Sequence, residues 1–179
     1  MKILLLCSPQ PHTNSCDTDI NNEQTIYLFN GVTRDKDTNS LISVPDIYSF
    51  NLNSSTWNAP TVKGIPPTRR REIKSVIDNT GKMYIFGGYA SGSVGSPTRQ
   101  YFNDMAIFNA VESSWSIYSN SPVITRSSYS ATLLPNGMIA YIGGYDAAGK
   151  SIDISKIDLY DTNSLTWTSR VCILCCKIF

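Results

Sequence analysis

The chain has 179 residues, enough for one domain with a sizeable core, and its 41% apolar and 16% charged content is that of a globular rather than a disordered protein. A net charge of +1 excludes a field that would draw nucleic acid or an anionic membrane, and the basic run Arg69-Arg70-Arg71 is answered at once by Glu72. No apolar stretch approaches the roughly 18 residues that a membrane span needs.

The amino terminus, Met1-Lys2-Ile3-Leu4-Leu5-Leu6-Cys7, carries an apolar run shorter than the roughly 7–15 residues of a signal-peptide core, and reads as a strand fragment or the ragged edge of an incomplete gene product. Residues 1–25 are taken as an N-terminal segment, the remnant of a unit preceding the repeats described next. The five cysteines, Cys7, Cys16, Cys172, Cys175 and Cys176, all flank the repeats, and an odd count without regular spacing is no disulfide framework. Cys172 and Cys175 have metal-ligand spacing, but Cys7, Cys16 and His12 supply no convincing second pair, so no metal site is expected.

Between these ends three segments superimpose. They begin Ile26-Tyr27-Leu28-Phe29-Asn30-Gly31, Met83-Tyr84-Ile85-Phe86-Gly87-Gly88 and Ile139-Ala140-Tyr141-Ile142-Gly143-Gly144, and end at Trp57, Trp115 and Trp167. Gly31, Gly88 and Gly144 lie 57 and 56 residues apart. Seven residues before each tryptophan stand Phe50, Phe108 and Tyr160; six before stand Asn51, Asn109 and Asp161. Arg70 and Arg126 each precede the second glycine by 18 residues, where the first segment has Thr13, which leaves its opening strand in doubt.

The apolar runs before the glycines are rich in β-branched and aromatic residues, as strands buried on both faces are. Asn79-Thr80-Gly81 and Pro135-Asn136-Gly137 are hairpin turns between the first two strands of a repeat. Asn53-Ser54-Ser55, Glu112-Ser113-Ser114 and Thr162-Asn163-Ser164 are tight turns into the tryptophan strand. Each repeat is thus expected to form four antiparallel strands with no helix. A tryptophan is expected to need a glycine opposite it, where the missing side chain leaves room for the indole. Sheets apolar on both faces must stack on one another.

A glycine pair, an aromatic-Asp/Asn step and a tryptophan seven residues after the aromatic resemble the kelch repeat. The period fits kelch and exceeds that of WD40, whose signatures are absent. The wording is also similar to the fungal, galactose-oxidase-like group of kelch proteins. The resemblance implies an all-β fold, an incomplete kelch-type β-propeller of about three four-stranded antiparallel blades. The repeats are bounded at 26–60, 69–118 and 125–171, with a divergent cysteine-rich tail over 172–179. That tail formally fits a prenylation box at Cys176-Lys177-Ile178-Phe179, although a truncated end is the favoured reading.

The galactose-oxidase likeness raises a copper-radical oxidase, which by resemblance needs two histidines, two tyrosines and a cross-linked cysteine. The chain has one histidine, His12, outside the repeats. No Ser, Cys or Thr has a histidine base within the repeats, and Ser91-Gly92-Ser93-Val94-Gly95-Ser96 lacks the lysine and following helix of a phosphate loop. No catalysis and no cofactor are expected. The resemblance implies an interaction scaffold whose loops, at 32–45, 89–103, 145–155, 60–71 and 119–126, meet another protein. Arg34, Arg69, Arg71, Tyr89, Arg99 and Tyr145 are the candidate anchors by residue type. Arg70 and Arg126, set apart by their repeated position, are read as structural, bonded to backbone carbonyls between blades. Three blades cover part of a ring, so self-association through the open blade faces is expected.

Overall fold

The structure, a computed structural model, describes residues 25–29, 37–40, 47–92, 96–118 and 121–172, and the strand pairing of 15–18. Among these, the strands form three four-stranded antiparallel sheets in sequence order along the chain. The first sheet contains β1 (Ser15–Thr18), β2 (Thr25–Phe29), β3 (Ile47–Asn51) and β4 (Thr56–Asn58). Its opening strand, in doubt from the sequence, is therefore present and lies within the segment placed ahead of the repeats.

The second sheet is built from β5 (Ser75–Ile77), β6 (Lys82–Phe86), β9 (Met105–Asn109) and β10 (Ser114–Tyr118). Between its middle strands the chain makes a small hairpin, β7 (Tyr89–Ala90) with β8 (Gln100–Tyr101), within the stretch expected to be loop. The third sheet holds β11 (Ser130–Leu133), β12 (Met138–Ile142), β13 (Lys156–Asp161) and β14 (Thr166–Val171). The first strands of the three sheets neighbour one another, β1 beside β5 and β5 beside β11, as the innermost strands of radially stacked blades do. The fold is all-β, a partial propeller of three blades.

The aromatic-Asn/Asp step has a local cause. The side-chain oxygen of Asn51 accepts from the backbone N–H groups of Asn53 and Ser54, that of Asn109 from Val111 and Glu112, and that of Asp161 from Asn163 and Ser164. Each closes the turn between the last two strands, a backbone-mimicking role suited to a short polar side chain. Every such turn ends on a residue of positive φ, Ser55, Ser113 or Leu165.

Two buried seams join the blades. Tyr27, Phe29 and Ile47 of the first pack against Met83, Ile85, Phe108 and Trp115 of the second. Tyr84, Phe86, Met105 and Ile107 of the second pack against Tyr129, Ile139, Tyr141 and Tyr160 of the third, with Trp167 half-buried at the edge. Alternation along each middle strand supplies one set of side chains to each seam. The second blade is apolar on both faces and packs between its two neighbours.

Gly87, Gly88 and Gly144 make room for the close approach of other stretches of chain, not for the indoles. A Cβ on Gly88 would stand 2.4 Å from Ile73 Cγ2 and 2.8 Å from the Arg71 carbonyl oxygen; one on Gly87 would stand 2.6 Å from the Arg126 carbonyl of the next blade. Both have positive φ, 64° at Gly87 and 78° at Gly88, which a side chain would strain further. The expectation of a glycine opposite each tryptophan is therefore corrected. The indoles of Trp115 and Trp167 find their space between aromatic rings of two blades.

Candidate functional site

Loops at the glycine-pair end converge where the first strand of each blade runs out. In the second blade Arg71 and Tyr89 exchange backbone hydrogen bonds, at 2.9 and 3.2 Å; in the third, Ser127 and Tyr145 do the same at 3.0 and 2.9 Å. Beneath each pair sits a buried arginine. Arg70 donates to the Thr68 and Gly87 carbonyls and grips the Asp104 carboxylate with both terminal nitrogens, its guanidinium 4.0 Å from the Phe102 ring. Arg126 donates to the Gly143 carbonyl and pairs with the fully buried Asp158. Burial pushes the Arg126 guanidinium below its ordinary range, with Asp158 pulling the other way.

These arginines are structural and bond to carbonyls, but their side chains tie together one blade. Backbone hydrogen bonds cross between the blades beside them: the Arg126 carbonyl accepts from Gly88 N–H at 2.8 Å, and the Glu72 carbonyl accepts from Ser128 N–H at 2.9 Å.

Three of the six anchors named from sequence come together. The guanidinium of Arg71 lies 5.0 Å from the Tyr89 ring centroid and that of Arg99 lies 4.9 Å from it. The Tyr101 ring adds a contact at 5.3 Å. Tyr89 is only 5% exposed, so it is a platform under the two arginines rather than a projecting anchor. Arg99 is exposed, and Arg71 and Arg69 are partly buried. Tyr145, at the equivalent position in the third blade, is 48% exposed. Arg34 lies outside the described residues, as do His12, Cys7, Cys175 and Cys176.

Glu72 is the residue that sequence reasoning missed. Its carboxylate accepts from the Tyr89 hydroxyl at 2.7 Å, the Ser128 hydroxyl at 2.5 Å and Arg71 at 3.2 Å. Burial acts to raise its pKa, and the hydrogen bonds from Ser128, Tyr89 and Arg71 outweigh that and hold it below the ordinary value. The signal was in the repeat: Glu72 and Ser128 each stand two residues after a repeated arginine, and both adopt positive φ.

Elsewhere, a cavity of about 540 Å³ opens at the opposite, turn end, between Asp78-Asn79-Thr80, Pro135-Asn136-Gly137 and Thr162-Asn163. Among the described residues no group of three His, Cys, Asp or Glu side chains is placed to hold a metal, and no helix is long and apolar enough to cross a membrane.

The family model of the KLHDC2/KLHL20/DRC7 Kelch-repeats domain matches residues 7–174. The chain is 28% identical over 153 residues to Kelch domain-containing protein 3 of Rattus norvegicus, covering 81% of this chain and 37% of that protein. It is 30% identical over 106 residues to Kelch repeat-containing protein 2 of Saccharomyces cerevisiae, covering 57% of this chain and 11% of the relative. With the human Rab9 effector protein with kelch motifs the identity is 23% over 130 residues, covering 70% and 32%. The solved structure of YjhT superimposes with a TM-score of 0.62 at 17% identity, covering 92% of this chain and 51% of that one. The chain thus spans little more than a third of the rat relative and about half of the solved propeller. With one glycine and one tryptophan repeated in register three times, the glycine doubled in two of the repeats, and a family match over nearly its whole length, the chain belongs to the kelch-repeat family.

Proposed function

We propose that this chain is a non-catalytic protein-binding module that meets its partner at the glycine-pair end. The observation that carries the reading is the stack of Arg71 and Arg99 on Tyr89, with Glu72 fixing the Tyr89 hydroxyl and Arg71. Arginine held flat on an aromatic ring loses less conformational freedom on binding, and Arg and Tyr are enriched among interface residues that dominate affinity. Tyr145 extends the same surface into the third blade. Arg69 and Arg34 belong to the loops proposed to frame it. One relative is named as an effector of Rab9, which supports the class of function and leaves the partner of this chain open. The narrower galactose-oxidase-like grouping rests on the motif wording, and a fragment of a carbohydrate-active enzyme is the alternative it suggests.

A photo-crosslinking residue placed at Arg99 or Tyr145, tested in extract of the native cells, is expected to trap one protein that the same residue at Asn163, on the turn end, does not. Trapping confined to Asn163 would overturn the proposed face. Purified protein given copper and galactose is expected to release no peroxide; sustained, galactose-dependent peroxide would reverse the choice in favour of the enzyme.

A further inference from the structure

The cavity of about 540 Å³ at the turn end plays no part in the proposed partner face, and its lining has a definite chemistry. It lies where the β5–β6 turn of the second blade meets the β11–β12 and β13–β14 turns of the third. Every lining residue belongs to one of these two blades, so the cavity needs nothing from outside residues 78–163. Its volume falls within the range of small-molecule sites, about 300–1,000 Å³.

Bonds within the turns hold the walls. Asp78 Oδ1 accepts from the Thr80 N–H at 2.8 Å, the Thr80 hydroxyl at 2.7 Å and the Lys82 N–H at 3.1 Å. Its Oδ2 accepts from the Tyr84 hydroxyl at 2.8 Å, and with two lone pairs it has room for one more donor. The Thr162 hydroxyl donates to the Gly137 carbonyl at 2.7 Å, which ties the two third-blade turns together. Asn136 Oδ1 accepts from the Met138 N–H at 3.2 Å and leaves its amide NH₂ open. The side-chain amides of Asn79 and Asn163 have no partner among the described residues. Asn163 lies low over the turn, since a Cβ on Gly137 would stand 3.1 Å from its Nδ2. Leu133, Leu134 and Pro135 supply an aliphatic wall.

The open groups are therefore neutral amides plus one carboxylate lone pair, with no cationic side chain in the lining. Burial acts to raise the pKa of Asp78, but hydrogen bonds from Thr80, Lys82 and Tyr84 hold it below the ordinary value, so the carboxylate stays ionised and repels an anion. Neighbouring hydroxyls on an uncharged ring match this set. An asparagine amide donates to one hydroxyl and accepts from the next, and the C–H face of the ring covers the aliphatic wall. We propose that the cavity binds a short uncharged saccharide, with Asn79, Asn163 and Asp78 Oδ2 meeting its hydroxyls and Leu133, Leu134 and Pro135 its apolar face. The partner face lies at the other end of the blades, so the two sites act independently.

Saturation-transfer NMR titrations of the purified protein with glucose, N-acetylglucosamine, cellobiose and chitobiose test it. Glucuronate and an end-blocked glycine–serine peptide serve as comparison probes. At least one of the four neutral sugars is expected to bind saturably, and glucuronate more weakly than glucose. Asn79→Ala and Asn163→Ala change exposed side chains, and thermal melts check that each variant stays folded. Each is expected to weaken the sugar by roughly three- to tenfold, as loss of a neutral hydrogen bond does. The double variant is expected to lose the signal altogether. Arg99→Ala, at the glycine-pair end, is expected to bind the sugar like the parent, which keeps this result separate from the fate of the partner face. Four sugars that all fail to saturate, affinity unchanged in the double variant, glucuronate binding as tightly as glucose, or capture of the peptide in place of the sugars would each overturn the proposal.

Discussion

The indole of Trp167 stands 4.6 Å, centroid to centroid, from the Phe86 ring of the preceding blade, and only 5.0 Å from Tyr160 in its own. The last strand of a blade therefore holds its neighbour through a ring wedged between two sheets. Trp115 is wedged in the same way between Phe29 and Phe108.

This sets a difference between tryptophans that share one repeat position. Trp115→Ala is expected to cost about 3–5 kcal/mol, the usual range for deleting a large buried aromatic. Trp57→Ala, at a side chain 56% exposed, is expected to cost roughly 1 kcal/mol, near the centre of ordinary point-mutant effects. Urea titration of both variants at a concentration where the parent is monomeric checks the contrast. Equal losses would mean that the seams contribute little.

The glycines give a second contrast at matched φ. Gly88, at 78°, would place a Cβ against Ile73 and the Arg71 carbonyl, whereas Gly149, at 77°, has nothing within 4 Å of one. Gly149→Ala is expected to cost only the strain of its backbone, about 1–2 kcal/mol. Gly88→Val adds overpacking in a closed core and is expected to prevent stable folding. Thermal melts by circular dichroism separate the two. A folded Gly88→Val with the melting temperature of Gly149→Ala would remove close approach as the reason for the glycine pair.

Much of this was legible in the sequence because it is local. The strand count, the hairpin turns at Gly81 and Gly137, and the aromatic-Asn/Asp step are each set by residues a few positions apart. What was not legible depends on groups distant in the chain. Tyr89 and Tyr145 follow their glycine pairs identically, yet one is buried and the other open, because Arg99 and Arg71 roof only Tyr89. Glu72 reads as a counter-charge to its arginine neighbours until Ser128, 56 residues on, arrives from the next blade. The purpose of Gly87 likewise appears only when the Arg126 carbonyl is brought against it.

The Arg126–Asp158 pair has both side chains fully buried. Asp158→Ala would leave a buried guanidinium without its counter-charge, and is expected to cost about 3–5 kcal/mol. Replacing both by leucine is expected to cost less than the single change, since no charge is then stranded. Asp104, partner of Arg70, is 19% exposed, so water partly replaces it, and Asp104→Ala is expected to be milder than Asp158→Ala. Denaturant titration of the three variants beside the parent tests this order. A double variant less stable than Asp158→Ala would show that the pair stabilises the blade beyond neutralising its own burial.

Acid should loosen the second seam through Glu72. Its folded-state pKa lies below the ordinary value of 4.5 because hydrogen bonds from Ser128, Tyr89 and Arg71 overcome the opposing effect of burial. A depressed carboxyl contributes stability that is fully present above the unfolded-state pKa and is lost as pH falls through the lower folded-state value. Glu72→Gln is therefore expected to be less stable than the parent at pH 7, with the gap narrowing as pH drops below 4.5. Some acid sensitivity will persist in the variant. Asp78, despite partial burial, is lowered by hydrogen bonds from Thr80 and Lys82, and Asp161 by the backbone N–H groups of Asn163 and Ser164. Paired urea titrations at pH 7, 5, 4 and 3 give the comparison. A gap that stays constant across the series would mean that the Glu72 charge does not hold the two blades together.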